Sequence, residues 1–173
     1  MPPLLQTALL LVFPALVIAA ALRDVTSYTI PNWMSGLLIL GFFAAALALG
    51  LSPQVIGLHA AIGAGALVAG MAMFALNWIG GGDAKLLAAA GLWVGWPALV
   101  DYLLITGVAG GALTLALLGL RSIHLQAFTQ MGPAWFGRLA TPGESVPYGA
   151  AIAVGALAAF PGSALMQAFQ GFS

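Results

Sequence analysis

Residues 80–85 read Gly80-Gly81-Gly82-Asp83-Ala84-Lys85. Three glycines are followed at once by a carboxylate and an amine, and long apolar runs lie on both sides. Charge is scarce in this chain: 173 residues carry four Lys or Arg and four Asp or Glu. A charged group at the edge of a hydrocarbon core is costly and calls for a functional reason. A second carboxylate, Asp24, sits at the end of another apolar run, and no Asp, Glu, Lys or Arg falls between Asp24 and Asp83.

The runs around these acids decide the fold class. The chain is 62% hydrophobic and 5% charged, with a mean hydropathy of +1.10. Soluble domains carry roughly 25% charged residues, so the expected class is an all-α polytopic membrane protein. About 20 apolar residues cross a typical bilayer core. Six runs approach that length: 4–22, 33–51, 55–79, 83–100, 102–120 and 147–169. They form one membrane-embedded domain, 1–173, with no sequence repeat. Pro14 lies inside the first run and Pro161-Gly162 interrupts the last. Trp33 suits an interface anchor. Residues 23–29 read as a short polar loop, with Pro31 and a helix-capping Asn32 after it. Residues 121–146 read as a longer loop with a helix lying on the membrane surface.

Composition also excludes functions. A net charge of zero removes the electrostatic footprint of a nucleic-acid binder. With no cysteine, disulfides, thiolate metal sites and cysteine nucleophiles are ruled out. His59 and His124 form no metal-ligand pattern, and neither a cofactor nor a metal is expected. The start, Met1-Pro2-Pro3, has no basic residue before the apolar run, unlike a cleaved signal peptide.

Six alternating spans put Arg23, Lys85, Arg121 and Arg138 on one face and Asp101 on the other. The positive-inside rule makes the basic face cytoplasmic, so both termini are expected outside. Asp24 and Asp83 then share the cytoplasmic face. Two carboxyl groups in reach of each other share a proton. Such a pair can activate water with one member and protonate a carbonyl oxygen with the other. Hydrolysis of a peptide bond is the expected chemistry. The glycines would let the backbone turn sharply and approach a substrate.

Each residue also has a plainer reading. Asp83 alone suits an interfacial helix cap, and Asp24 a loop carboxylate beside Arg23. Lys85, two positions on, faces another side of the helix and suits a topology anchor, as do Arg121 and Arg138. Asp101 reads as an outer-face cap, His59 as a packed helix residue and His124 as a loop residue. Glu144 reads as a loop charge, or as a contact for a basic substrate segment.

The motifs resemble those of the type IV prepilin peptidases. Gly80-Gly81-Gly82-Asp83 with Lys85 fits their G-x-G-D-x-K signature. Asp24 followed by Ile30-Pro31-Asn32 is similar to their D-x5-I-P-N motif. Val146-Pro147-Tyr148-Gly149-Ala150, with Ala153 and Gly155, is similar to the P-[YF]-G segment opening their last helix. The small size resembles the short members serving Flp-type pili. The resemblance implies an aspartic endopeptidase of the bacterial cytoplasmic membrane. It would remove the leader from a prepilin or pseudopilin precursor, which presents a basic leader in the cytoplasm and an apolar helix in lipid.

Asp24 and Asp83 carry over as the catalytic pair, and Gly80 and Gly82 shape the loop. Lys85, Pro31, Asn32, Pro147, Tyr148 and Gly149 are supporting residues. Larger members carry a cytoplasmic domain with paired cysteines and also methylate the new N-terminus. Without cysteine and with a short first loop, this chain is expected to lack that second activity. The segment 121–146 is expected to help dock the substrate. Two other readings use the same acids: a presenilin-like intramembrane protease, whose first aspartate lies within a helix, and a small proton-coupled transporter. Nothing in the sequence fixes an oligomeric state.

Overall fold

The structure, a computed structural model, describes residues 3–122 and 133–171. It is all helical, with no strand among the described residues. The helices are α1 (Pro3–Ser27), α2 (Asn32–Ala48), α3 (Pro53–Ala75), α4 (Gly81–Val94) and α5 (Leu99–Leu120), followed by α6 (Ala134–Leu139), α7 (Tyr148–Ala159) and α8 (Ala164–Gln170). A 3₁₀ turn, Phe160–Gly162, joins the last two. The all-α membrane class expected from composition is what is found. Each of the six apolar runs carries a helix. Three are long and apolar enough to cross a bilayer: Leu4–Ser27, Pro53–Ala75 and Leu99–Leu120. The pair Tyr148–Gly162 and Ala164–Gln170, bent by 41°, makes a fourth if counted as one span. With 17 residues α2 is shorter, and α4 has only 14.

Several boundaries differ from the sequence expectation. The fourth run, expected over 83–100, ends as a helix at Val94, where Gly95 takes a positive φ. Asp101, expected as a cap, lies inside the first turn of α5, whose cap is Ala98. Three further differences have local reasons. Residues 23–27 are the last turn of α1, not a loop. The Thr26 and Ser27 hydroxyls donate back to the carbonyls of Leu22 (2.7 Å) and Arg23 (2.6 Å). Polar side chains bonded in this way stay compatible with a helix. Asn32 is not the cap of α2. Pro31 holds that position, and Asn32 is the first helical residue.

The third run stops early. Asn77 has φ 59°, its N–H bonds the Phe74 carbonyl, and Trp78 N–H reaches the Met73 carbonyl at 2.9 Å. These two bonds close a Schellman motif, a helix stop that accepts asparagine as well as glycine. At the start of α3, Ser52 Oγ accepts from Val55 N–H and Pro53 occupies the first turn, where its missing N–H costs nothing.

The short helix α4 is the centre of the fold. Every residue from Asp83 to Val94 except Lys85 is buried, and α4 touches α1, α2, α3, α5 and α7. The α3 contact is close because Gly70 faces α4: a Cβ there would lie 3.0 Å from the Ala84 Cβ. Small residues permit such approach between helices in lipid.

Aromatic rings fill the far half of the core. Trp93 stacks on Phe13 at 5.1 Å and meets Phe42 edge-on at 6.1 Å. Two of the buried aromatic polar tips find backbone partners. Trp93 Nε1 donates to the Leu38 carbonyl (2.8 Å), and Tyr102 Oη to the Leu87 carbonyl (3.1 Å). His59 Nδ1 pairs with the Leu92 carbonyl at 2.7 Å, one of the last-turn carbonyls that a helix leaves without an internal partner. The helix ends there at Gly95, with φ +62° and the His59 ring against it. His59 is thus a packed, hydrogen-bonded residue, as its position in an apolar run suggested.

Candidate active site

Asp24 lies in the last turn of α1 and Asp83 in the first turn of α4. The two helices bring the acids together at one end of the bundle, where both line the same cavities. Both are buried, each about 5% exposed. Asp24 Oδ2 accepts from the Gly149 N–H at 2.8 Å. Gly149 is the second residue of α7, so this N–H is one that its own helix leaves unpaired. Asp83 Oδ2 accepts from the Gly80 N–H at 3.1 Å. That bond closes the turn into α4, with Asp83 at the third helical position instead of the cap. Asp83 Oδ1 is buried and receives no donor from the described residues. A proton held on the neighbouring carboxyl is the donor such an oxygen needs, because two ionised carboxylates offer only acceptors.

Glycines stand close against the groups that hold the acids. A Cβ on Gly149 would stand 2.8 Å from Asp24 Oδ2 and 2.9 Å from Asp24 Cβ. One on Gly80 would stand 3.0 Å from Asp83 Oδ2, and one on Gly82 would stand 3.1 Å from Ile30 Cβ. The last contact is where the segment after Asp24 meets the glycine loop. Pro147 is fully buried and occupies the cap position of α7. Tyr148 beside it lines the cavity that holds the acids.

That cavity is about 450 Å³, with Asp24 and Asp83 on one wall and Trp78, Glu144 and Ser145 around the rest. A second cavity of about 200 Å³, lined by Thr29, Ile30 and Gly81, also reaches both acids. Tyr28 and Gly80 line both cavities along with the acids. Among the described residues no three His, Asp or Glu side chains gather as a metal-ligand group.

The other expected supporting residues are placed differently. Lys85 faces away from the acids, and its Nζ donates to Asn32 Oδ1 at 2.8 Å. This bond ties α4 to the start of α2, so Lys85, Pro31 and Asn32 brace the outer side of the loop. Arg121 and Arg138, expected as topology anchors, make contacts within the protein. Arg121 donates to the carbonyls of Leu139 and Ser145, both at 2.9 Å. Arg138 donates to the Thr26 carbonyl, and its guanidinium lies 5.9 Å from the centre of the Tyr28 ring. Together they clamp the segment 133–147 over the end of α1. Within it only α6, six residues long, is a described helix. Residues 123–132, with His124 and Phe128, lie outside the described residues.

Tyr28, read from the sequence as part of the polar loop after Asp24 and not as a site residue, joins the site. It follows α1 with φ 53°, its N–H bonds the Asp24 carbonyl at 2.8 Å, and it lines both cavities. Burial pushes its phenol above the ordinary value, with the Arg121 charge opposing the shift. The signal lay in its spacing, one helical turn beyond Asp24. Trp78 and Glu144 line the same cavity, and no local motif announces them.

No solved structure matches the chain. Among curated proteins it is similar to a prepilin leader peptidase/N-methyltransferase of Burkholderia pseudomallei (strain K96243), 37% identical over 83 residues, which cover 48% of this chain and 21% of that protein. The Aeromonas hydrophila protein of the same name is 34% identical over 79 residues, covering 40% of this chain and 27% of the relative. That of Pectobacterium carotovorum subsp. carotovorum is 33% identical over 93 residues, covering 48% and 33%. The matched stretches thus span only about a fifth to a third of these relatives. Residues 11–115, which include both buried acids, match the type IV leader peptidase family, and the chain belongs to that family.

Proposed function

We propose that this chain is an aspartic endopeptidase that removes the leader from prepilin-like precursors at the cytoplasmic membrane face, in Flp-type pilus assembly or related secretion. The observation that carries this reading is the pair Asp24 and Asp83. They are buried side by side, each is held by one backbone N–H, and both open to one cavity. One carboxylate takes a proton from water as the water oxygen bonds to the scissile carbonyl carbon. The other, protonated, gives its proton to the carbonyl oxygen. Collapse then breaks the C–N bond, with a proton passing to the leaving amine. Gly149 and Gly80 fix the orientation of the two acids, and Tyr28 and Tyr148 line the space for the substrate backbone.

The orientation in the bilayer is part of the proposal. Arg121 and Arg138 lie at the dyad end, next to the end of α1, and Arg23 and Lys85 adjoin the acids in sequence. Four basic residues at one end support a cytoplasmic site and outward termini. Peptidase activity without N-methylation is proposed as well. The residues between α1 and α2 are only 28–31, where larger members carry their cysteine-containing domain.

The test is cleavage of a prepilin by the purified chain. Asp24→Asn and Asp83→Asn should each abolish processing while helix content and thermal unfolding are retained. Full processing by both folded variants would end the reading. A presenilin-like reading has one observation in its favour: Asp24 lies within α1, not beyond its end. Mass spectrometry of the products separates the two. A cut between leader and apolar helix supports the prepilin reading, and cuts inside the helix support the other.

A further inference from the structure

On the opposite side of α4 from the dyad, a groove runs between α2, α3 and α4. Its cavity is about 510 Å³, and neither aspartate lines it. The walls are apolar along most of the length, with Ile39, Phe43, Ala64, Leu67 and Leu92. One end is polar, with Asn32, Ser35 and Lys85. Ser35 is 7% exposed, and its buried Oγ has no hydrogen-bond partner among the described residues. Lys85 is exposed, and its Nζ donates to the neutral Asn32 amide oxygen. An ammonium has three donors and a full charge, and no carboxylate among the described residues pairs with it. Helices α2 and α4 both begin at this end, and each adds the positive pole of its dipole.

Length and charge select the occupant. From Asn32 to Phe43 the groove follows α2 for about 16 Å, apolar except at its cationic mouth. An extended hydrocarbon chain with an anionic head matches that pattern. A basic residue at the mouth of an apolar gap between membrane helices suits a lipid headgroup.

We propose that this groove binds one anionic phospholipid, with an acyl chain along α2, α3 and α4 and its phosphate on Lys85. Ser35 lies one helical turn deeper than Asn32, about 4.5 Å along the axis. That is where an ester carbonyl below the phosphate accepts its hydroxyl proton. The proposal does not depend on the peptidase reading, since it concerns a separate face of α4.

The test is native mass spectrometry of the full chain in non-ionic detergent, titrated with phosphatidylglycerol or phosphatidylcholine. One phosphatidylglycerol should be retained with a preference of about fivefold over phosphatidylcholine, the share expected of one interfacial lysine. Lys85→Gln should erase the preference. Gly36→Leu with Ala64→Phe should abolish retention by filling the groove; a Cβ at Gly36 meets nothing within 4 Å. Equal retention of both lipids by the natural chain, or undiminished retention by a folded groove-filled variant, overturns the proposal. A photo-crosslinking side chain at position 39, in phosphatidylglycerol vesicles containing a prepilin, gives a check without core changes. Attachment to lipid supports the proposal. Attachment to the prepilin helix or to a second copy refutes it.

Discussion

The two acids of the dyad are held in opposite ways. Asp83 is fixed locally: its partner, the Gly80 N–H, is three residues away in the same turn. Asp24 is fixed remotely: its partner, the Gly149 N–H, is 125 residues away on another helix. A turn can form its own bond before the rest of the chain is in place. The Asp24 bond exists only once α1 and α7 have docked. One half of the site is therefore a property of a motif, and the other half is a property of the fold.

The largest effect should come from the acids themselves. Asp24→Asn and Asp83→Asn should each lower prepilin cleavage by about 10³-fold or more. The double variant should be no worse than either single one, because the pair acts as a unit. Rates from a quenched-peptide assay check both points. Additive losses would mean that the acids work separately.

Next comes Gly149→Ala. The added Cβ cannot coexist with the Asp24 carboxyl, and both sit on docked helices that cannot yield independently. A displacement near 1 Å can cost on the order of 100-fold, so kcat should fall by about that much with helix content unchanged by circular dichroism. Gly80→Ala should cost less, about tenfold. Its Cβ meets only the far end of one side chain, in a turn free to adjust. Its backbone angles, φ −71° and ψ 152°, also suit alanine. A reversed order of these two variants would break the contrast between local and remote support. The smallest effect should be that of Arg121→Gln. Losing the clamp on Leu139 and Ser145 should raise KM about fivefold, near 1 kcal/mol, and leave kcat nearly unchanged.

This contrast also explains what could be read from the chain alone. The membrane class followed from the scarcity of charge, and the placement of Asp83 from three glycines ahead of it. Asp24 was visible as an acid, but its place inside α1 was not. Thr26 and Ser27 look like loop residues until their hydroxyls are seen bonded back to the helix. The stop at Asn77 was hidden for the opposite reason: apolar Ile79 lay beyond it, while an asparagine supplied the left-handed turn. The central position of α4 was also illegible. Hydropathy cannot separate a helix that faces protein from one that faces lipid, since both are apolar. In α5, only Tyr102, Gly110 and Leu117 are buried, yet its composition resembles that of α4. Tyr28 and Glu144 enter the site through chain crossings that leave no local trace.

The brevity of α4 has a consequence for where the reaction takes place. At 14 residues it is about 21 Å long, short of the roughly 30 Å hydrocarbon slab. Neighbouring helices bury it along nearly its whole length. Its far end is pinned where His59 meets Leu92. The depth of Asp83 is thus measured from inside the protein, like a mark on a fixed rod. A thicker or thinner membrane would tilt the outer helices and leave that mark where it is.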